Sequence, residues 1–326
     1  MSKYCVVTTI NRPTKAIEKL YELFFDKLIV IGDNKTPIDW AYEDTQYFSP
    51  NKYESTDFSY RNVFNHYSRK NIGYIEAMRQ GATMIYDTDD DNIPNDNWIL
   101  RDSKISANSS VGKGWYNTYS LFCSSFIWPR GFSLRNLTKV PEIGELVNME
   151  SSIQQGLSDG EPDVDAIWRL VFQKHNTFDE NLSVYVEPGA WCPFNSQTTW
   201  WFPKAYPLMY LPLYSTFRMT DIWRSFVAQR CLWELGEGVT FHSPSEVYQD
   251  RNEHDYLKDF EDEVPGYLNN DLIISTLSSL ELKKGEDAVC KNLFECYGAL
   301  VEKGFLPEEE LISVQSWIND YKKTLI

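Results

Sequence analysis

The sequence predicts an α/β fold, and three stretches carry that prediction. "YCVVTTI" (residues 4–10) is a β-branched run, "AIEKLYELFF" (16–25) follows with helical spacing, and "KLIVIGDNKTP" (27–37) is a second apolar run ending at Gly32-Asp33. Strand, helix and strand in that order make a βαβ unit, which requires parallel strands joined by a right-handed crossover. Ligands on such sheets bind outside the carboxyl ends of the strands. Asn11, Arg12 and Asp33 fall at that edge.

The elements follow in order. Residues 39–66 are polar and aromatic without clean periodicity and read as a long loop. "SRKNIGYIEAMRQGA" (68–82) reads as a helix capped by Ser68 and ended by Gly81, and "TMIYD" reads as the next strand. "GWYNTYSLFC" (114–123) alternates enough for a strand, and "WPRGFSLRNL" (128–137) is a turn-rich connection. "EPDVDAIWRLVF" (161–172) opens a helix with carboxylates in its first turn, where they suit the dipole. "WWFPKAYPLMYLPLYST" (200–216) carries three prolines and is expected to line a groove, with Trp200, Trp201 and Tyr214 as candidate stacking surfaces. "RMTDIWRSFVAQRCLWELG" (218–236) is an amphipathic helix capped by Thr220 or Asp221 and ended by Gly236. The expected division is a first domain over 1–265 and a helical appendage over 266–326.

One stretch asks for chemistry. "IYDTDDDNIPND" (85–96) places Asp87, Asp89, Asp90 and Asp91 within five positions where the third strand leaves the sheet. Carboxylates so close repel one another unless a cation or a set of donors neutralises them. A divalent-metal site for a nucleotide diphosphate fits: Mg²⁺ or Mn²⁺ takes carboxylate oxygens and leaves positions for phosphate, and it neutralises charge developing on a leaving diphosphate. A calcium loop fits poorly, because its sixth position is Asn92 rather than Gly and its twelfth is Trp98 rather than Glu. A solvated acidic turn is the competing account.

Composition bounds the partners. A net charge of −16 argues against nucleic acid or anionic membrane, which attract Lys/Arg stripes absent here. An anionic ligand would then need a local basic site or a metal. No apolar stretch approaches the roughly 20 residues of a transmembrane helix, and "MSKYCVVTTI" lacks a signal-peptide pattern, so the cytoplasm is the expected location. The six cysteines form no CxxC pair, which makes reduced, packed thiols the expectation.

Six ordered blocks, "NIGYIEAM…GATMIYDTDDDN", "PRGFSL", "EPDVDAIWRL", "PFNSQTTWW", "STFRMTDIWRSFVAQRCLWELG" and "DRNEHDYLKDFEDE", resemble the STELLO family of glycosyltransferases, Golgi proteins of plants. A weaker similarity extends to the UDP-arabinopyranose mutases, through "DDD" at 89–91 and the stretch 130–135. Both resemblances imply a GT-A fold, a Rossmann-like mixed sheet flanked by helices, and a nucleotide-sugar donor, with UDP the expected nucleotide. STELLO proteins carry an amino-terminal membrane anchor; none is read in this sequence, so the Golgi location is not expected to transfer.

The resemblance implies Asp87 near the nucleotide ribose, Asp89, Asp90 and Asp91 at the metal, and Asn11, Arg12 and Asp33 facing base and ribose. Arg69 and Lys70 are placed to meet a diphosphate, and His254 to complete the metal shell. Asp221, at a helix start, is the candidate general base, with Asp163 and Asp165 as weaker candidates. The expected activity is inverting transfer of a sugar from a nucleoside diphosphate to a glycan or other hydroxyl. The alternatives are a self-glycosylating mutase acting through Arg130 and a catalytically silent scaffold.

Overall fold

The computed structural model describes residues 2–50, 63–249 and 255–325. The first half runs β1 (Lys3–Thr9), α1 (Lys15–Tyr21), β2 (Lys27–Gly32), β3 (Gln46–Phe48), α2 (Asn71–Arg79), β4 (Met84–Thr88), β5 (Asn92–Pro94), β6 (Lys104–Val111), β7 (Gly114–Trp115) and β8 (Glu142–Glu150). Next come β9 (Ile153–Gln155), β10 (Ser158–Gly160), α3 (Ala166–Phe172), β11 (Leu182–Val186), β12 (Ala190–Trp191) and β13 (Thr198–Trp201). The chain closes with α4 (Thr220–Trp233), β14 (Val239–Ser243), β15 (Val247–Gln249), α5 (Tyr256–Ser278), α6 (Val289–Glu302) and α7 (Glu309–Lys323).

Ten strands form one sheet in the order β3-β2-β1-β4-β13-β9-β14-β11-β6-β8. The first four are mutually parallel, as the βαβ pattern requires, and β13 then enters antiparallel to β4. The result is a large mixed α/β sheet flanked by helices, consistent with a GT-A-like fold. Alternation along β1 explains why its sequence is apolar throughout. Tyr4 and Val6 join Ile29 and Ile31 in one core cluster, whereas Cys5 and Val7 join Leu28 and Val30 in the cluster on the other face. Helix α2 lies so close to the first of these faces that a Cβ on Gly73 would stand 2.5 Å from Val6 Cγ1.

Several local expectations are corrected. The segment 68–82 begins as a 3-10 turn, Tyr67–Lys70, whose cap is His66 rather than Ser68. "GWYNTYSLFC" is a strand only at Gly114–Trp115 and then turns. Residues 200–216 do not line a groove: Trp200 and Trp201 belong to the buried strand β13, and two of the three prolines, Pro203 and Pro207, sit in a 3-10 turn, Pro203–Met209. The helix expected after 265 starts earlier, at Tyr256, because Asp255 accepts hydrogen bonds from the amides of Leu257 and Lys258. Its apolar side continues the core of the sheet, with Ile273, Leu293, Val314 and Trp317 of the last three helices in the same cluster as Val6 and Ile29.

Candidate active site

A cavity of about 530 Å³ opens at the carboxyl ends of β1, β2 and β4, a size in the range of roughly 300–1,000 Å³ typical of small-molecule sites. Of the residues named from sequence, Asn11, Asp33, Arg69, Asp89, Asp90, Asp91, Asp163 and Asp221 line it. Arg12 does not; its exposed guanidinium pairs with Asp39 at 3.3 Å. His254 lies outside the described residues.

Each carboxylate of the acidic run meets cations or hydrogen-bond donors, with Lys70 shared between two of them. Asp87, still inside β4, points into the core, where it is fully buried and ion-paired with Lys70 Nζ at 2.8 Å and Arg224 Nη1 at 3.2 Å. It therefore anchors the strand from within and does not reach a ribose in the cavity, as the resemblance had implied. Lys70 bridges to Asp89 at 2.8 Å, so it is neither a solvated surface charge nor exposed to a diphosphate. Burial pulls the Lys70 ammonium down, but Asp87 and Asp89 more than offset this and hold it well above the ordinary lysine value.

The next three aspartates stand where the strand has ended. Tyr67 donates its hydroxyl to both oxygens of Asp89 at 2.7 and 2.9 Å, and burial pushes this carboxyl up to about 6 against the pull of Lys70. Asp90 accepts from the Thr9 hydroxyl and from Asn11 Nδ2 at 3.1 Å, while the Thr14 hydroxyl holds its carbonyl at 2.5 Å. These contacts tie the acidic turn to the end of β1 and the start of α1. Asp91 accepts from Gln249 Nε2 at 2.9 Å. Asp33 caps the turn after β2, accepting the amides of Asn34 at 2.6 Å and Asn65 at 2.8 Å. Arg69 gives its Nε proton to the carbonyl of Gly32 at 2.6 Å and one Nη1 proton to Val63, so it shapes this wall rather than presenting a charge to it. Among the described residues no three His, Cys, Asp or Glu side chains converge as a closed metal cage.

The opposite wall centres on Arg130. Its Nε and Nη2 reach Asp163 at 2.7 and 2.9 Å, its Nη1 and Nη2 reach Asp221 at 2.9 Å each, and Nη1 also meets the carbonyl of Arg218. A guanidinium has five N–H donors, and five contacts occupy them. So engaged, and held well above its usual value by the two carboxylates despite burial, Arg130 has no lone pair to offer a sugar, which argues against self-glycosylation there. Arg130 thus ties Asp163 and Asp221 together at the cavity wall. Asp221 sits in the first turn of α4 but does not cap it, since a 3-10 turn, Phe217–Met219, runs directly into the helix. Asp165 is excluded from the cavity: it caps α3 through the amide of Trp168 at 2.8 Å and accepts the Trp128 indole N–H at 2.6 Å.

Sequence reading missed the aromatic side of this site and the cations at its rim. Tyr67, His66 and Phe217 line the cavity, and so do the exposed Lys15 and Lys35, which follow β1 and β2 on the ligand edge. Their place after the strand ends was the available signal for both lysines. Arg224 could have been found three residues after Asp221, one turn along the same helix.

Comparison with known proteins bears on the same wall. Residues 218–325, which begin at Arg218 and include Asp221, match the family model of the STELLO glycosyltransferases. Probable glycosyltransferase STELLO1 of Arabidopsis thaliana is 28% identical over an alignment of 352 positions that covers 98% of this chain and 44% of that protein. Probable glycosyltransferase STELLO2 of the same plant is 27% identical, with the same 98% and 44% coverage. The chain thus spans less than half the length of the curated relatives it matches. Similarity along almost its whole length, together with the matched family region, identifies this chain as a relative of the STELLO glycosyltransferases.

Proposed function

We propose that the cavity transfers a sugar from a nucleoside diphosphate, with UDP as the carrier, to an acceptor hydroxyl, assisted by Mn²⁺ or Mg²⁺. The observation that carries this reading is the meeting of Asp89, Asp90 and Asp91 with Asp221 in one cavity at the carboxyl edge of parallel strands. Asn11 and Asp33, at the ends of β1 and β2, suit the ribose and base. Lys15 and Lys35 supply positive charge at the rim for phosphate. Two carboxylates suffice for such an ion, because Mg²⁺ in phosphate sites takes one or two carboxylates and fills its other positions with phosphate and water. Asp89 and Asp91 would hold it, and when bound it would neutralise the charge on the departing diphosphate.

Asp221 would take the acceptor proton. The acceptor oxygen forms the new bond to the anomeric carbon as the bond to the diphosphate breaks, the electron pair leaving with the nucleotide; a single displacement inverts the centre. The position of Asp221 supports this role: it lines the cavity from the first turn of α4, where an acceptor hydroxyl entering beside the acidic turn would meet it.

Calorimetric titration of UDP into the full chain tests the reading. With Mn²⁺ present UDP should bind, and chelator or Asp91→Asn should each weaken binding by about tenfold or more, a loss of about 1.4 kcal/mol. No UDP binding under any condition would overturn the proposal, and binding indifferent to both changes would overturn its metal component.

A further inference from the structure

Phe217 is out of place by ordinary burial rules. In a cavity lined by many charged and polar residues, Phe217 is 52% exposed, although burying its ring would gain about 1.5–3 kcal/mol. The ring is nonetheless fixed. Tyr67 meets it edge-on with centroids 5.6 Å apart, His66 does so at 6.4 Å, and its backbone lies in the 3-10 turn that feeds α4. Both supporting rings are themselves held, Tyr67 by Asp89 and His66 by the carbonyl of Ser215 at 3.2 Å.

The surroundings of the ring select a ligand class. Asp221 stands four residues further along the same wall, and an ionised carboxylate offers about four acceptor positions, of which Arg130 takes one on each oxygen. A flat apolar face beside oxygen acceptors complements a pyranose, which presents C–H groups on one face of its ring and hydroxyl donors around its edge. An acyl chain would leave those acceptors unmet, and a peptide serine would leave the ring uncovered. The nucleoside is accounted for elsewhere, at the ends of β1 and β2. Resting on the transferase reading above, we propose that Phe217 is the platform for a sugar ring of the acceptor, so that the acceptor is a carbohydrate whose hydroxyl is delivered to Asp221.

Saturation-transfer NMR on the full chain, with UDP and the diamagnetic Mg²⁺ present, tests this using methyl β-glucoside, methyl β-galactoside, methyl α-mannoside and the capped peptide Ac-Ala-Ser-Ala-NH₂. At least one glycoside should receive saturation on the C–H protons of one ring face. Phe217→Ala should cut that signal by about five- to tenfold, Phe217→Trp should restore it, and calorimetric UDP affinity should stay constant in both variants. The inference is overturned if no glycoside receives saturation, if only the peptide does, if Phe217→Ala leaves the signal intact, or if the signal and UDP affinity fall together. Failure of the transferase reading itself is separately visible as wild-type protein that binds no UDP.

Discussion

At the scale of single residues, what distinguishes this protein is how it spends buried charge. Asp87 lies in the interior between Lys70 and Arg224, with Lys70 bridging on to Asp89, while Asp89, Asp90 and Asp91 stand at the cavity wall with hydrogen-bond donors of their own. Asp165 is handled differently: burial pushes it up to about 7, against the pull of its hydrogen bonds from the Trp128 indole and the Trp168 amide. The folded protein therefore retains a proton that the unfolded chain, with an aspartate near 3.9, releases. The contribution to stability is full below pH ~4, declines as pH rises, and is gone above about 7. Between pH 5 and pH 8 this should remove about 2–3 kcal/mol from the unfolding free energy. Asp165→Asn should abolish that part of the pH dependence in urea titrations at the two pH values; an unchanged difference between wild type and variant would show that Asp165 ionises normally. The proximity of the aspartates was plain in the sequence, but which one turned inward was not. That choice depends on where β4 ends, one residue past Asp87, and on a lysine and an arginine from distant parts of the chain.

At the scale of elements, the strands nearest the ligand edge were the legible ones. β1, β2 and β4 are buried on both faces and so read as unbroken apolar runs, whereas β6 ("KISANSSV") and β8 ("EIGELVNME") pair at the far end of the sheet with much of their surface exposed and carry little apolar signal. The stretch 200–216 misled because prolines and aromatics were read as a groove. They instead fill the interior, with Tyr210 donating its hydroxyl to Glu310 of α7 at 2.5 Å. Glu310 also accepts the amides of Leu213 and Tyr214, so one buried carboxylate from the last helix holds the segment that leads into Ser215, Phe217 and Asp221. Burial raises its carboxyl above the ordinary value. Glu310→Gln puts an amide donor where these N–H groups need acceptors, and should cost about 1–3 kcal/mol of stability in urea unfolding. Glu309→Gln, on the exposed side of the same turn, should stay within about 0.5 kcal/mol. Equal effects from the two variants would mean that α7 does not clamp the cavity wall.

At the scale of the whole molecule, the net charge of −16 pointed away from polyanions and the cavity qualifies that reading locally. Beside its six aspartates the cavity is lined by Lys15, Lys35, Arg69, Arg130 and Arg218, of which the exposed Lys15 and Lys35 are open to an entering anion. This local grouping was invisible in the sequence because the basic residues come from five separate segments that only the fold brings together. The ligand edge itself was legible, since the βαβ pattern alone locates it, and the acidic run falls on it as expected. Among the described residues no helix is long and apolar enough to cross a membrane.

The most direct test of this site is nucleotide release from a panel of UDP-, GDP-, CMP- and dTDP-sugars with Mn²⁺, with Mg²⁺ and with chelator, comparing wild type with Asp91→Asn and Asp221→Asn. The expected result is metal-dependent release of UDP from one donor, lost with chelator and reduced by about tenfold or more in each variant. Release from no donor under any condition, or release that both variants and chelator leave unchanged, would contradict a sugar-transfer centre at the ends of β1, β2 and β4.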